Sequence, residues 1–136
     1  MYASILDVTQ WPSFRGFGPI PPIESARYEH RSKELVGSRI VVHNADGTRH
    51  TETIVEARPP HLVTLDIAEM TSPLRWVVAG LSDRWEFEDL GHETRVNRTM
   101  SLEPSSWFTA PLVAVVALLL GIAVRRHLAT MVIDAR

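Results

Sequence analysis

The sequence has no cysteine among its 136 residues. This absence excludes a disulfide framework and thiolate chemistry, and it fits a cytosolic protein. The formal net charge is only −2, with both signs mixed along the chain, so there is no electrostatic footprint for a nucleic acid partner. The N-terminal stretch MYASILDVTQWP lacks the basic and apolar regions of a signal peptide. We therefore expect a cytoplasmic protein that does not bind nucleic acid.

Chemical motifs are also missing. No stretch matches a nucleophile motif, a phosphate-binding loop or a metal box, so no cofactor is predicted. The length of 136 residues suits one domain, residues 1–136, that is large enough to bury a sizeable core. These absences favour a binding function over catalysis.

The dipeptide Asp46-Gly47 predicts a two-residue loop between two strands. If this loop closes the hairpin, His43 lies opposite His50. Two imidazoles across a ladder could share a zinc ion, but a zinc site needs three or four protein ligands. The spacing of the other histidines adds no third ligand, so the sequence predicts two exposed hairpin histidines and no metal site.

The clearest periodic pattern lies in residues 83–102, DRWEFEDLGHETRVNRTMSL. Alternation on both sides of a Gly-His turn is typical of two antiparallel strands. The inward face combines apolar residues with a matched acid and base: Trp85, Phe87, Met100, Asp83 and Arg98. The two charged side chains form either a buried structural ion pair or part of a cavity wall. In the second case Arg98 anchors a ligand carboxylate or phenol, and Asp83 is a candidate base.

Upstream segments show similar strand patterns. Strands are predicted at 26–30, 38–43, 51–57 and 61–70, and a long strand at 74–90 with a bulge at Gly80. Before them, the proline-rich stretch WPSFRGFGPIPPI is predicted to be a loop, because proline and glycine at this density exclude a helix or a ladder. Its aromatic residues either pin that loop to the domain or form a flap over a pocket: Trp11, Phe14 and Phe17. About six antiparallel strands followed by one long helix indicate an α+β domain.

The C-terminal region is unusually apolar. Residues 104–124 contain no charge, and Arg125 and Arg126 follow at once. The densest part, 110–124, would span about 22 Å as a helix, short of the ~30 Å hydrocarbon core of a bilayer. An apolar stripe at helical spacing continues past the arginines, and its members are Val113, Val116, Ala117, Leu120, Val124, Leu128 and Met131. The stripe predicts a packed helix at 104–135, with a membrane anchor at 104–124 as the alternative.

Four further apolar residues lie largely off this stripe: Val115, Leu118, Leu119 and Ile122. The first half of the helix is therefore apolar nearly all round. Such a helix needs cover on a second side, from a partner chain such as a second copy, from the N-terminal segment or from lipid.

Several motifs, taken in order, carry a family resemblance: W-P-x-F-x-G-F-G, V-G-S-R, N-A-D-G-T, E-A-R-P-P-H-L-V, D-R-W-E-F and E-T-R-V. They resemble the SRPBCC superfamily of START-like, helix-grip proteins, and within it the polyketide cyclase/dehydrase and lipid-transport branch. The resemblance covers residues 11–135, and its motifs are specific for the fold and weak for chemistry. Members usually begin with a strand and a helix-loop-helix before the first tryptophan. Only ten residues precede Trp11 here, so the first strand and most of the first helix are expected to be missing.

The resemblance implies a curved antiparallel sheet wrapped on a long C-terminal helix, with a deep apolar cavity between them. That cavity would hold a lipid, a polyketide or another hydrophobic small molecule. The residues predicted to contact the ligand are Asp83, Arg98, Trp85, Phe87, Trp76, Met100 and Leu120. Three functions remain open at this point: a binding protein, a cyclase/dehydrase-type enzyme with a shifted pKa in the cavity, and a membrane-associated accessory domain.

Overall fold

The computed structural model describes residues 5–16, 20–71, 76, 78–91 and 93–134. The strands are β1 (Ile23–His30), β2 (Arg39–Asn44), β3 (Arg49–Arg58), β4 (Leu62–Ala68), β5 (Val78–Asp89) and β6 (Thr94–Pro104), and helix α1 (Ala110–Asp134) follows them. Short 3-10 segments occupy Val8–Ser13 and Trp107–Thr109. The strands form one antiparallel 6-stranded sheet in chain order. The predicted architecture of about six antiparallel strands followed by a long helix is confirmed.

The β5 and β6 strands pair on both sides of the predicted turn. Asp89 pairs with Thr94, and Gly91 has φ 90°, a left-handed conformation that glycine adopts without strain. His92, in the predicted turn, lies outside the described residues, as do 74, 75 and 77 of the predicted strand. A register shift between Val78 and Gly80 corresponds to the predicted bulge.

The β2–β3 hairpin corrects one prediction. His43 pairs with Arg49, and His50 lies opposite Val42, so the prediction that His43 faces His50 is wrong. Residues opposite each other in a ladder share a face of the sheet. Because Val42 is fully buried, His50 lies on the inner face rather than being exposed as predicted.

The loop of this hairpin explains the difference. The Gly47 N–H donates to the Asn44 carbonyl, and the Asn44 N–H donates to the Thr48 carbonyl. The loop therefore contains Ala45, Asp46 and Gly47 instead of the predicted pair. Gly47 has φ 88°, as expected for the glycine that follows a type I turn in a three-residue loop.

The N-terminal segment covers part of the inner face of the sheet. Ile5, Leu6 and Val8 are buried in the main core cluster with residues of β2 to β5. The Trp11 indole N–H donates to the Ile5 carbonyl at 2.8 Å, and the Tyr28 hydroxyl donates to the Leu6 carbonyl at 2.8 Å. These bonds fix an irregular segment that lacks ladder partners.

Helix α1 covers the rest of the inner face, and it does so loosely. Pro104 ends β6 and α1 begins at Ala110, so the segment predicted as the grip helix, 104–135, starts with strand and a 3-10 turn. The buried side chains of α1 among the described residues are Val113, Ala123 and Val124. Trp107–Met131 is apolar and long enough to cross a membrane, and only 17% of its most apolar stretch is buried.

Candidate functional site

A cavity of about 420 Å³ lies between the sheet and the first half of α1. Small-molecule sites commonly have volumes of roughly 300–1,000 Å³. The walls are mainly aliphatic side chains from β4, β5, β6 and α1: Ile67, Val78, Leu81, Met100, Leu102, Leu112, Val116, Leu119 and Leu120. The size and the lining suit an apolar molecule.

A second, smaller cavity of about 80 Å³ lies near the N-terminal segment and the second half of α1. Its lining includes Trp11, Ser13, Trp85, His127 and Met131. Five residues line both cavities: Phe14, Ile23, Glu52, Asp83 and Arg98. We call these five residues the junction. Its three charged side chains, Glu52, Asp83 and Arg98, line both spaces.

The Asp83–Arg98 ion pair is the best-defined part of the junction. Arg98 lies opposite Trp85 in the β5–β6 ladder, and Asp83 is the diagonal neighbour, within reach of a long side chain. Arg98 Nε donates to Asp83 Oδ1 at 2.9 Å, and Nη2 donates to Oδ2 at 2.7 Å. The side chains are 10% and 4% exposed. The structure thus shows a direct bidentate pair, with charge balanced inside the wall.

Trp85 contacts both members of this ion pair. The Arg98 guanidinium carbon lies 4.2 Å from the centre of the Trp85 ring, a cation–π distance. The indole N–H of Trp85 donates to Asp83 Oδ2 at 3.2 Å. Both Asp83 oxygens therefore accept hydrogen bonds from the protein itself, which leaves this carboxylate poorly suited to act as a base.

His127 of α1 extends the network towards the N-terminal segment. Arg98 Nη1 lies 3.4 Å from His127 Nδ1, and an arginine can only donate, so a neutral ring accepts at Nδ1. Nε2 then carries the proton and donates to Ser13 Oγ at 3.0 Å. Burial, and then the positive charge of Arg98, lower the pKa of His127 to about 4, with Asp83 opposing in part.

The lowered pKa of His127 predicts a loss of stability in acid. The unfolded chain binds the proton with an ordinary pKa of 6.5, whereas the folded chain does so only near 4. The stabilising contribution is therefore present above pH 6.5 and lost as pH falls towards 4. We expect the free energy of unfolding to drop by about 1–2 kcal/mol more in the wild type than in His127→Gln, because solvent screens part of the cost at a half-buried ring.

Urea unfolding at several pH values in this window measures the difference. Arg98, Asp83 and Ser13 are unchanged in His127→Gln, so the two proteins differ only in the imidazole ring. Parallel pH profiles for the two proteins would contradict the prediction.

Glu52 and His50 are junction and cavity residues that sequence reasoning did not select. They alternate with Ile54 on the inner face of β3, and Glu52 is 6% exposed. His50 Nε2 lies 3.4 Å from Glu52 Oε2, and both residues line the larger cavity. Glu52 shares a face of β3 with Ile54 by period-2 alternation, so its inward position could have been found from the sequence. The predicted hairpin register instead placed His50 at an exposed position.

The residues predicted to contact a ligand have different positions. Asp83 and Arg98 line both cavities, Trp85 lines the smaller one, and Met100 and Leu120 line the larger one. The remaining two, Phe87 and Trp76, are not among the described lining residues. Phe87 is buried beside Trp85, with ring centres 6.3 Å apart, and Trp76 is 63% exposed.

In the described part of the chain, no group of three or more histidine, aspartate or glutamate side chains is arranged to hold a metal ion. What the junction offers is a carboxylate, an ion pair and a neutral imidazole beside an apolar space. This set can bind and orient the polar end of an apolar molecule.

No family model and no curated protein matches this sequence. The fold is similar to that of ginseng major latex-like protein 151 from Panax ginseng in two crystal structures. One alignment covers 93% of this chain and 87% of that chain with a TM-score of 0.61, at 16% sequence identity. The other covers 93% and 86% with a TM-score of 0.59, also at 16% identity. The predicted fold class is confirmed: the chain has an α+β helix-grip fold, with an antiparallel six-stranded sheet and a long C-terminal helix, like that of the ginseng protein.

Proposed function

We propose that the protein binds a hydrophobic small molecule in the larger cavity. The observation that carries this proposal is the apolar space of about 420 Å³ between the sheet and α1. An apolar pocket with a few convergent polar groups is the usual form of a small-molecule site. The helix-grip fold supports the same function, because it holds a helix across a concave sheet face.

The binding energy comes from apolar contact. Burying about 250 Å² of ligand surface at about 25 cal/mol per Å² contributes about 6 kcal/mol. This free energy corresponds to a dissociation constant in the range of about 10–100 μM. Hydrogen bonds at the junction would add to this affinity.

The state of the candidate base Asp83 favours a binding function over a cyclase or dehydrase activity that would use it. Such an enzyme needs a free acid or base in the cavity. Asp83 accepts hydrogen bonds from Arg98 and Trp85, so its role is the electrostatic support of the wall. A binding function does not require Asp83 to transfer a proton.

A titration with Nile red, a neutral fluorescent dye, tests the proposal. We expect saturable binding of one dye per chain with a dissociation constant of about 1–100 μM. Fluorescence that rises without saturation, or no binding at all, would contradict a defined cavity site.

We also propose that α1 docks on the surface of an anionic lipid bilayer. Trp107 and Phe108 are stacked with ring centres 3.9 Å apart and are about three-quarters exposed. Leu112, Val115 and Leu118 are each more than half exposed. Together these five residues form an apolar patch, and monomeric soluble proteins rarely expose large patches of this kind.

Two features favour lipid as the occupant of this patch. Leu112 also lines the larger cavity, so the patch continues into the proposed ligand site. Arg125 is exposed and lies seven residues after Leu118, on the same side of the helix. A cation at the end of an apolar, aromatic-rich face fits anionic headgroups.

Sedimentation with vesicles of phosphatidylcholine and about 30% phosphatidylglycerol tests the docking. We expect Leu118→Asp to lower the bound fraction at least about tenfold. Val55→Asp is the matched control, because Val55 is a 44% exposed valine in β3, and it should bind like the wild type. Lipid docking would be contradicted if Leu118→Asp sedimented with vesicles as much as the wild type does. It would also be contradicted if the wild type did not bind vesicles and instead formed dimers through this patch.

A further inference from the structure

The charged residues of the junction leave a net negative charge beside the larger cavity. Asp83 and Arg98 cancel each other as a bidentate pair, and His127, with a pKa of about 4, is neutral near pH 7. Two further charged residues of the cavity lining, Asp46 and Arg49, are exposed and contribute one charge of each sign. Within the described residues Glu52 is the other buried carboxylate, and its hydrogen-bond neighbour is His50 rather than an arginine.

Arg98 is a poor anchor for a ligand carboxylate. Its Nε and Nη2 already donate to Asp83, and its Nη1 faces His127. A ligand anion would have to compete with Asp83 for a cation that is already neutralised. It would also approach Glu52, and a like charge in a weakly solvated space is repelled strongly.

Glu52 instead presents unused acceptor capacity. A carboxylate has about four acceptor sites. In the described part of the chain its hydrogen-bond partner is His50, at a long 3.4 Å. Glu52 is 6% exposed and lines both cavities, so water has limited access to the remaining lone pairs. A donor on a ligand would satisfy them.

We infer that the cavity selects apolar molecules that carry a hydrogen-bond donor, a hydroxyl or an amine, over those that carry a carboxylate. This inference rests on the proposed binding function and adds the chemistry of the ligand's polar end. The donor group lies against Glu52 at the junction, and the apolar body fills the space along β5, β6 and α1. Hydroxyl and amine compounds share the donor chemistry and differ in charge.

Competition against Nile red at neutral pH tests the inference with compounds of equal chain length. The competitors are 1-dodecanol, dodecylamine, dodecanoate and dodecyl methyl ether, each used below its solubility limit or micelle concentration. We expect the alcohol and the amine to displace the dye at concentrations about tenfold lower than dodecanoate. The ether keeps an oxygen but has no donor, so it should be about fivefold weaker than the alcohol.

Two variants test whether Glu52 causes the preference for alcohol over dodecanoate. Glu52→Gln removes the charge at nearly constant volume, and the gap between alcohol and dodecanoate should shrink to about twofold. Glu88→Gln makes the same change on the exposed face of β5 and should keep the wild-type ratio.

Wild-type binding of dodecanoate as tight as that of the alcohol would overturn the inference while leaving the proposed function intact. So would a preference that survives in Glu52→Gln. A protein that binds no Nile red would refute the proposed function itself. The comparison of alcohol with ether needs no variant, so the test holds even if Glu52→Gln does not fold.

Discussion

Replacing Arg98 with methionine is expected to lower the free energy of unfolding by about 3–5 kcal/mol. The change leaves Asp83, whose side chain is 4% exposed, as a buried charge without its cation. Trp85 would still donate one hydrogen bond, which does not offset the lost charge pairing. Urea unfolding, followed by the fluorescence of the four tryptophans, of which Trp85 is buried, measures the effect.

Two control proteins identify the cause. In Arg98→Met combined with Asp83→Leu, both charges are gone, and most of the lost stability should return. Arg95→Met removes an arginine from an ion pair with Glu88 that is 58% and 57% exposed, and it should cost less than about 1 kcal/mol. If Arg98→Met costs no more than Arg95→Met, the pair does not have the structural role assigned to it.

Filling the larger cavity is expected to reduce Nile red affinity by about 100-fold or more. Leu81 and Leu102 are direct neighbours in the β5–β6 ladder and both line the space. The double variant Leu81→Trp and Leu102→Trp adds two large rings where the dye would lie. Stability should be kept or raised, because the rings enter unfilled space.

Ser101→Trp is the matched control for this prediction. Ser101 is exposed on the opposite face of β6, so the same ring is added without entering the cavity, and dye affinity should stay within about twofold. Unchanged affinity in the filled variant would mean that the dye binds elsewhere, with the exposed face of α1 as the first alternative.

The β5–β6 hairpin and its ion pair were predictable from the sequence. Strict alternation fixes which side chains share a face, and the parity of Asp83 and Arg98 placed both on the inner side. The order of strands and helix likewise followed from strand patterns, turns and the long apolar stretch. These features depend on local periodicity alone.

The contribution of His50, on β3, to the cavity wall was not predictable, and the reason lies in the β2–β3 loop. Asp46-Gly47 suits both a two-residue loop and a three-residue loop with glycine at its end, and the two loops differ by one residue in register. The shorter loop placed His50 opposite His43, whereas the structure places it opposite Val42. The inward position of His50 was lost with that choice.

The cavity and His127 depend on tertiary distances that periodicity does not encode. His127 lies on the same side of α1 as Leu120, seven residues earlier, but its contact with Arg98 needs the helix at a particular depth over the sheet. That depth is set where Ala123 and Val124 pack against Phe14. Sequence patterns give the apolar side of a helix and not the width of the space beneath it.

A two-dimensional NMR titration of methyl groups with 1-dodecanol tests the central claim most directly. We expect saturating shifts at one ligand per chain in methyls of the cavity wall, such as Leu81, Leu102 and Met100, with little change at exposed Leu118. This result would place an apolar molecule between the sheet and α1. Shifts confined to Leu118 and its exposed neighbours, or none that saturate, would contradict a ligand-binding cavity.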